Sequence, residues 1–357
     1  MLLKFKDSEE VCNSLQYIKE KNVFYLQDDA GKIICEYWPK LKLDSEYNPS
    51  QYRYLFLHNE REDYSENSIF QVYVDNQRIG WIFSIQALLS DQHDYAGNIF
   101  FLRYAYVAFW LLLNNIKSEN EQEISSEIFL EDFYDNSLTI LVLDNENISR
   151  LEGTFSIENY TISLYQYGYS WSGRGNLDSQ IEKPDKRIHL KPIAKELQRT
   201  KYIYTMFEKE IPKIQEAFAR FHTYYQIVEI LISIVFEDKF KIFVDRLNKS
   251  VESLFDQREE LGNMILEKQR VKWLFAEYVS ISQREKNILD EQCKKLLQKN
   301  NKKVGAGMAE NLYSVRCLLV HSMYTLNEYS HEILEDINKA FLEVIMEMLL
   351  TFETTKK

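Results

Sequence analysis

The chain has 357 residues, 45% of them hydrophobic and 27% charged. That is enough to build two ordinary domains with their own cores, and it excludes a globally disordered chain. The formal charge of −12 is uneven: residues 1–198 hold 31 acidic against 19 basic side chains, whereas 199–357 hold 24 of each, so two parts of different character are expected. The opening MLLKFKDSEE turns acidic at once, with no apolar run and cleavage site behind it, which points to a protein that stays in the cytoplasm. Four cysteines, Cys12, Cys35, Cys293 and Cys317, show no paired spacing. They suggest neither a disulfide framework nor a thiolate metal site, and a reduced compartment fits.

The first part alternates aromatic and β-branched residues in short runs. NVFYLQ, KIICEYW, YRYLFLH and IFQVYV read as strands, with turns at Asp29-Ala-Gly31 and Asp75-Asn76. The greasy run NIFFLRYAYVAFWLLLNNI is interrupted by Arg103 and falls short of the ~20 clean apolar residues of a membrane span, so it is expected to be a core helix. LTILVL is a further strand, and TISLYQYGYSW reads as strand-like before the loop SGRGNLDSQIEKPDK. From about Pro192 the texture changes. Ile214, Ala217, Phe218, Phe221, Tyr225, Val228 and Leu231 recur at three and four, and no proline follows Pro212, which predicts an all-helical domain. The expected fold is therefore α+β, with an acidic β-rich domain over 1–198 and a helical bundle over 199–357.

Within the bundle, NLYSVRCLLVHSMYTL raises a question of burial, because Arg316 and His321 are costly to desolvate without partners. Leu312, Val315, Leu319, Met323 and Leu326 form one apolar stripe. At about 100° per residue, Arg316 falls at its edge and His321 nearly opposite. Tyr313, Cys317, Val320 and Tyr324 surround His321, so this second face is apolar too, and a copy of the same helix in a symmetric dimer is the economical cover for it.

An arginine, four residues and a histidine on a helix near the end of a compact helical domain resembles the signature of HEPN domains. FARFHTYYQIVEILI, with Glu229, resembles the opening helix of HEPN domains in the ApeA-like phage-defence group, and LYSVRCLLVHS resembles its closing helix. The likeness covers roughly residues 200–350. It implies a metal-independent endoribonuclease working as a homodimer, an antiphage or abortive-infection toxin that cleaves RNA, tRNA among the candidates. Its products would be a 2′,3′-cyclic phosphate and a 5′-hydroxyl. One position departs from the pattern: the residue after the arginine, usually Asn, Asp or His in active members, is Cys317 here, which removes a polar group from the site.

The residue types suit that chemistry. The 2′-hydroxyl of RNA lies beside the next phosphate, so an imidazole, His321, can take its proton or protonate the leaving 5′-oxygen. The guanidinium of Arg316 can hold the charge of the pentavalent phosphorane, and Glu229 can orient either residue or neutralise Arg316. Five lysines fall within residues 294–303, the chain's basic cluster, and Lys299, Lys302 and Lys303 are candidate phosphate contacts just ahead of the motif helix. Gly305-Ala-Gly307 lacks the Lys-Ser/Thr of a phosphate loop and is expected to set the turn into that helix. His58, His93, His189, His222 and His331 show no metal-ligand spacing, and no metal or cofactor is implied. The acidic front domain suits a sensor that meets a protein or small ligand, a phage component by the resemblance, and restrains the nuclease until then. The same residues also fit a second reading, an inactive HEPN module for dimerisation or nucleotide binding within a defence or toxin–antitoxin complex, with Arg316 in a structural ion pair and His321 a plain interface histidine.

Overall fold

Short strands, some alternating in burial and some buried throughout, build the front of the chain in this computed structural model, which describes residues 12, 14–59, 65–116, 127–171, 184–247, 253–322 and 330–354. The strands β1 (Ser14–Ile18), β2 (Val23–Gln27) and β3 (Ile33–Tyr37) form an antiparallel sheet in that order. The predicted Asp29-Ala-Gly31 turn joins the last two. There Asp28 Oδ1 accepts the N–H groups of Ala30 and Lys32, and Gly31 adopts a φ of 78° that a side chain would disfavour.

Next come β4 (Tyr52–Asn59), β5 (Ile69–Val74) and β6 (Gln77–Ser84), then the long helix α1 (Ile99–Asn115) and β7 (Leu138–Asp144). The short helices α2 (Asn145–Ser149) and α3 (Thr161–Gln166) precede β8 (Tyr169–Ser170) and β9 (Arg187–Leu190). A six-stranded sheet runs β8-β4-β7-β6-β5-β9, with only the β5–β9 pair parallel. Helix α1 buries Phe101, Ala105, Phe109 and Leu112 in a core shared with Phe24, Trp81 and Ile140, as expected of a core helix. Its one charge, Arg103, pairs with Asp144 at 3.1 Å and donates to the Tyr52 hydroxyl. Among the described residues no helix is long and apolar enough to cross a membrane.

One expectation fails here. TISLYQYGYSW was expected to be strand-like, yet Thr161–Gln166 is helical and only Tyr169–Ser170 pairs in a sheet. Ile162 and Tyr165, three apart, both reach the core of the helical part, which a helix allows and a strand's alternation forbids.

The helical part continues through α4 (Lys201–Thr205), α5 (Ala217–Leu247), α6 (Leu254–Ile265), α7 (Glu267–Trp273), α8 (Gln283–Lys299), α9 (Met308–His321) and α10 (Ser330–Thr351). The three-and-four pattern of α5 is realised, with Ala217, Phe221, Tyr225, Val228 and Leu231 all buried. Arg220, only 5% exposed, anchors the start of α5 by pairing with Glu335 of α10 at 2.8 Å and donating to the Ile214 and Gln215 carbonyls. The charge is buried but fully partnered. Two compact units result. Of the described residues, those up to 156 with 167–171 and 184–190 belong to one, and 157–166 with those from 191 to 354 to the other. The fold class is thus the expected α+β, and the helical core takes in Ile162, Tyr165, Ile193 and Leu197, ahead of residue 199.

Gly80 is the tightest point of the larger sheet, since a Cβ there would lie 2.2 Å from the Val142 carbonyl oxygen of β7. Gly80→Ala is expected to destabilise the β-rich unit by about 3 kcal/mol or more. Thermal denaturation followed by near-UV circular dichroism should show an earlier transition, whereas Gly97→Ala, with nothing near its would-be Cβ, should melt like the parent.

Candidate active site

Two hydrogen bonds from a buried amide seat α9. Asn311, fully buried, accepts the Gly305 N–H at 2.7 Å and donates to Asp290 Oδ1 of α8 at 2.7 Å. Ala306 N–H donates to Glu310 Oε2 at 2.9 Å, and Glu310 also pairs with Lys272 at 2.7 Å and Lys268 at 3.1 Å, both from α7. These partners, Lys272 first, hold the Glu310 carboxyl down at about 2. The glycine turn therefore spends the amides of Gly305 and Ala306 on side chains of the helix it introduces. It sets the entry to α9, as its sequence suggests, and those two amides are not offered to a phosphate.

The buried face of α9 holds Leu312, Val315 and Leu319 as expected, and Asn311 and Leu318 as well. Met323, Leu326 and Tyr324 of the expected faces lie outside the described residues. On the other side Tyr313 and Cys317 are half-buried, while Val320 is 42% exposed and His321 is exposed.

Arg316 and His321 look different ways. The Arg316 side chain lies over the Tyr225 ring at 5.7 Å, with Nη2 at 3.5 Å from Glu229 Oε1 on α5 and Nε at 3.7 Å from Glu267 Oε1 at the start of α7. Both contacts are ion pairs too long to be good hydrogen bonds. The Tyr225 hydroxyl donates to the same Glu267 oxygen at 3.0 Å, and burial, with Glu267 beside it, raises its pKa. His222, one turn earlier on α5, also feels this cluster: burial first and the Arg316 charge second push its pKa down, and Glu229 opposes them.

His321 instead lines a cavity of about 380 Å³, together with Lys268, Lys302, Lys303, Tyr313, Ser314, Cys317 and Ser322 and two leucines. Among the described residues no carboxylate is part of that wall. Lys302 and Lys303 carry no ion pair among the described residues, so their charge faces the cavity and solvent. Lys299, the other candidate phosphate contact, is exposed at the end of α8 and is not part of the wall. Sequence-derived candidates thus fall into two groups around α9, Arg316 with Glu229 of α5, and His321 with Lys302 and Lys303 of the turn before α9. Two neighbours were not singled out. His222 shares a face with Tyr225 and Glu229 at helical steps of three and seven, a readable signal. Lys268 had none, because only the packing of α7 brings it beside Glu310 and the cavity.

Among the described residues no three His, Cys, Asp or Glu side chains cluster as metal ligands would. No protein-family model, curated protein or solved structure matches this chain.

His222 offers a direct probe of the Arg316 cluster. A histidine whose folded pKa is depressed binds protons more weakly than the unfolded chain does. Its contribution to stability is present above the ordinary imidazole pKa and is lost as pH falls through the folded value. In an NMR titration of the imidazole, Arg316→Gln should move the His222 midpoint up, and Glu229→Gln should move it further down. Unchanged midpoints in both variants would show that the three side chains do not share one electrostatic environment.

Proposed function

We propose that the helical unit is a metal-independent endoribonuclease of HEPN type. The observation that carries this reading is the wall around His321: three lysines, one histidine and, among the described residues, no carboxylate, in a cavity large enough for a nucleotide's phosphate and sugar. Lys302 and Lys303 hold the RNA backbone. The 2′-oxygen attacks the adjacent phosphorus and the bond to the 5′-oxygen breaks, leaving a 2′,3′-cyclic phosphate and a 5′-hydroxyl. His321 moves the proton at one of those two oxygens. DNA, without the attacking hydroxyl, resists.

Arg316 supplies the clamp on the phosphorane, and its position argues for two copies of the chain. A step of five residues turns two side chains about 140° apart around a helix. Arg316 accordingly reaches Glu229 and Glu267 while His321 reaches the cavity. Val320, exposed, stands on the arc between them. A two-fold axis at Val320 would set two such arcs together, so that each His321 meets an Arg316 from across the interface. Glu229 and Glu267 hold the guanidinium in place until a phosphate competes for it. By the resemblance, the protein acts in the cytoplasm as an RNA-cleaving toxin of phage defence, with tRNA among its candidate substrates, and the acidic β-rich unit restrains it until a trigger arrives.

The second reading, a HEPN module that dimerises or binds nucleotide without cleavage, has one specific observation in its favour. Arg316 already has two carboxylate partners, and Cys317 adds no polar group beside it.

Incubation of the full chain with total cellular RNA, followed by mapping of the end groups, separates the two. Catalysis predicts cyclic-phosphate ends, formed equally with and without chelator, that vanish in Arg316→Ala and His321→Ala while melting temperatures stay close to the parent's. Lys302→Ala and Lys303→Ala should each weaken RNA binding and lower the slope of log affinity against log salt by about 0.7. No cleavage in any state of the parent would favour the module.

The interface has its own test. Val320→Glu would bury two like charges across the two-fold axis at a cost of several kcal/mol. It should give a folded monomer without nuclease activity, as judged by sedimentation. A parent protein that is monomeric at micromolar concentration would remove the shared site.

A further inference from the structure

Cleavage of RNA by its own 2′-hydroxyl takes two proton transfers, one from the attacking oxygen and one to the leaving 5′-oxygen. His321 serves one of them. A second group for the other has to stand near Arg316, because both oxygens are bonded to the phosphorus that the guanidinium would hold.

Most of the candidates there are taken. The Tyr225 hydroxyl donates to Glu267 at 3.0 Å, and its raised pKa keeps it a phenol rather than a base. Glu267 and Glu229 are the counter-charges of Arg316 itself. Cys317 stands in the wall of the His321 cavity. That leaves His222.

His222, Tyr225 and Glu229 lie on one face of α5, at helical steps of three and four. Arg316 lies across that face, over the Tyr225 ring at 5.7 Å and beside Glu229 at 3.5 Å. The His222 ring sits one turn before Tyr225, edge-on to Phe218 at 4.4 Å between centroids, so its orientation is set by packing. It is only half-buried, and Glu229 further along has a side chain 48% exposed, so a strand of RNA can reach this face. The charges that act on His222 are Arg316 from α9 and Glu229 from its own helix, while Glu335 of α10 is taken up by Arg220. Burial and then Arg316 lower its pKa, which keeps the imidazole in its neutral, proton-accepting form.

We infer that His222 is the second catalytic histidine of the proposed nuclease, the base that takes the 2′-hydroxyl proton, supplied by the same chain as Arg316 and facing the His321 of the other chain. As the bond from the 2′-oxygen to phosphorus forms and the bond to the 5′-oxygen breaks, His222 gains a proton and His321 gives one to the leaving oxygen. Both then exchange protons with water before the next turnover. This role rests on the ribonuclease reading.

The test is kcat/KM of the full chain on a fluorogenic RNA oligomer as a function of pH. A bell-shaped profile is expected, with an acid limb that falls as pH drops through the His222 midpoint measured by NMR in the free protein. His222→Gln and His222→Ala should each lose on the order of 10²-fold or more in rate, lose that limb and melt like the parent. Free imidazole should restore part of the activity of His222→Ala. Mixing His222→Ala chains with His321→Ala chains should recover roughly a quarter of the parent's activity, because half of the dimers are mixed and each mixed dimer has one intact site. If the parent cleaves RNA but the His222 variants keep its rate and acid limb, the role of His222 falls and the ribonuclease reading stands. Inactive variants that melt early and do not respond to imidazole would make His222 structural, and mixed chains that recover nothing would remove it from a shared site. No cleavage by the parent would overturn both readings.

Discussion

A helix turns about 100° per residue, and once Asn311, Leu312, Val315, Leu318 and Leu319 commit one side of α9 to the core, no other side chain on it is free to choose its direction. Arg316 is carried toward α5 and α7, His321 toward the lysine-lined cavity, and Val320 is left in water between them. The commitment is reinforced by a polar contact. Asn311 is buried, yet its amide is satisfied on both sides, by Gly305 and by Asp290. Either bond broken would strand a polar group in the core at a cost of about 1–3 kcal/mol, so the register of α9 and the course of the chain leading into it are set together.

Around that helix, acid and base are sorted rather than mixed. Glu310 collects Lys268 and Lys272, and Glu229 and Glu267 collect Arg316, so the carboxylates near α9 are engaged with particular cations. What remains toward the cavity is the charge of Lys302 and Lys303 with the imidazole of His321. The cavity beside His321 is therefore basic among its described residues, within a part of the chain whose acidic and basic side chains balance overall.

Burial explains which readings of the sequence matched the structure. The α5 stripe from Ala217 to Leu231 is visible because burial recurs at helical spacing, and a strand such as Leu138–Asp144 because a short apolar, β-branched run is buried almost throughout. TISLYQYGYSW misleads for the same reason. Its β-branched and aromatic residues suit a strand, and only the core waiting at Ile162 and Tyr165 makes the helix the better choice for its first half. Lys268 has no local signal at all, since its role depends on where α7 packs.

The sequence by itself determined the α+β division, the acidic front and neutral back, the helix bearing Arg316 and His321, and the lysine cluster before it, because periodicity, composition and spacing are local properties. Only the tertiary structure decided that Arg316 is matched by Glu229 and Glu267, and that His321 shares a cavity with Lys268, Lys302 and Lys303 but not Lys299. Those groupings join residues tens of positions apart or more, and their distances follow from packing, which no local pattern in the chain encodes.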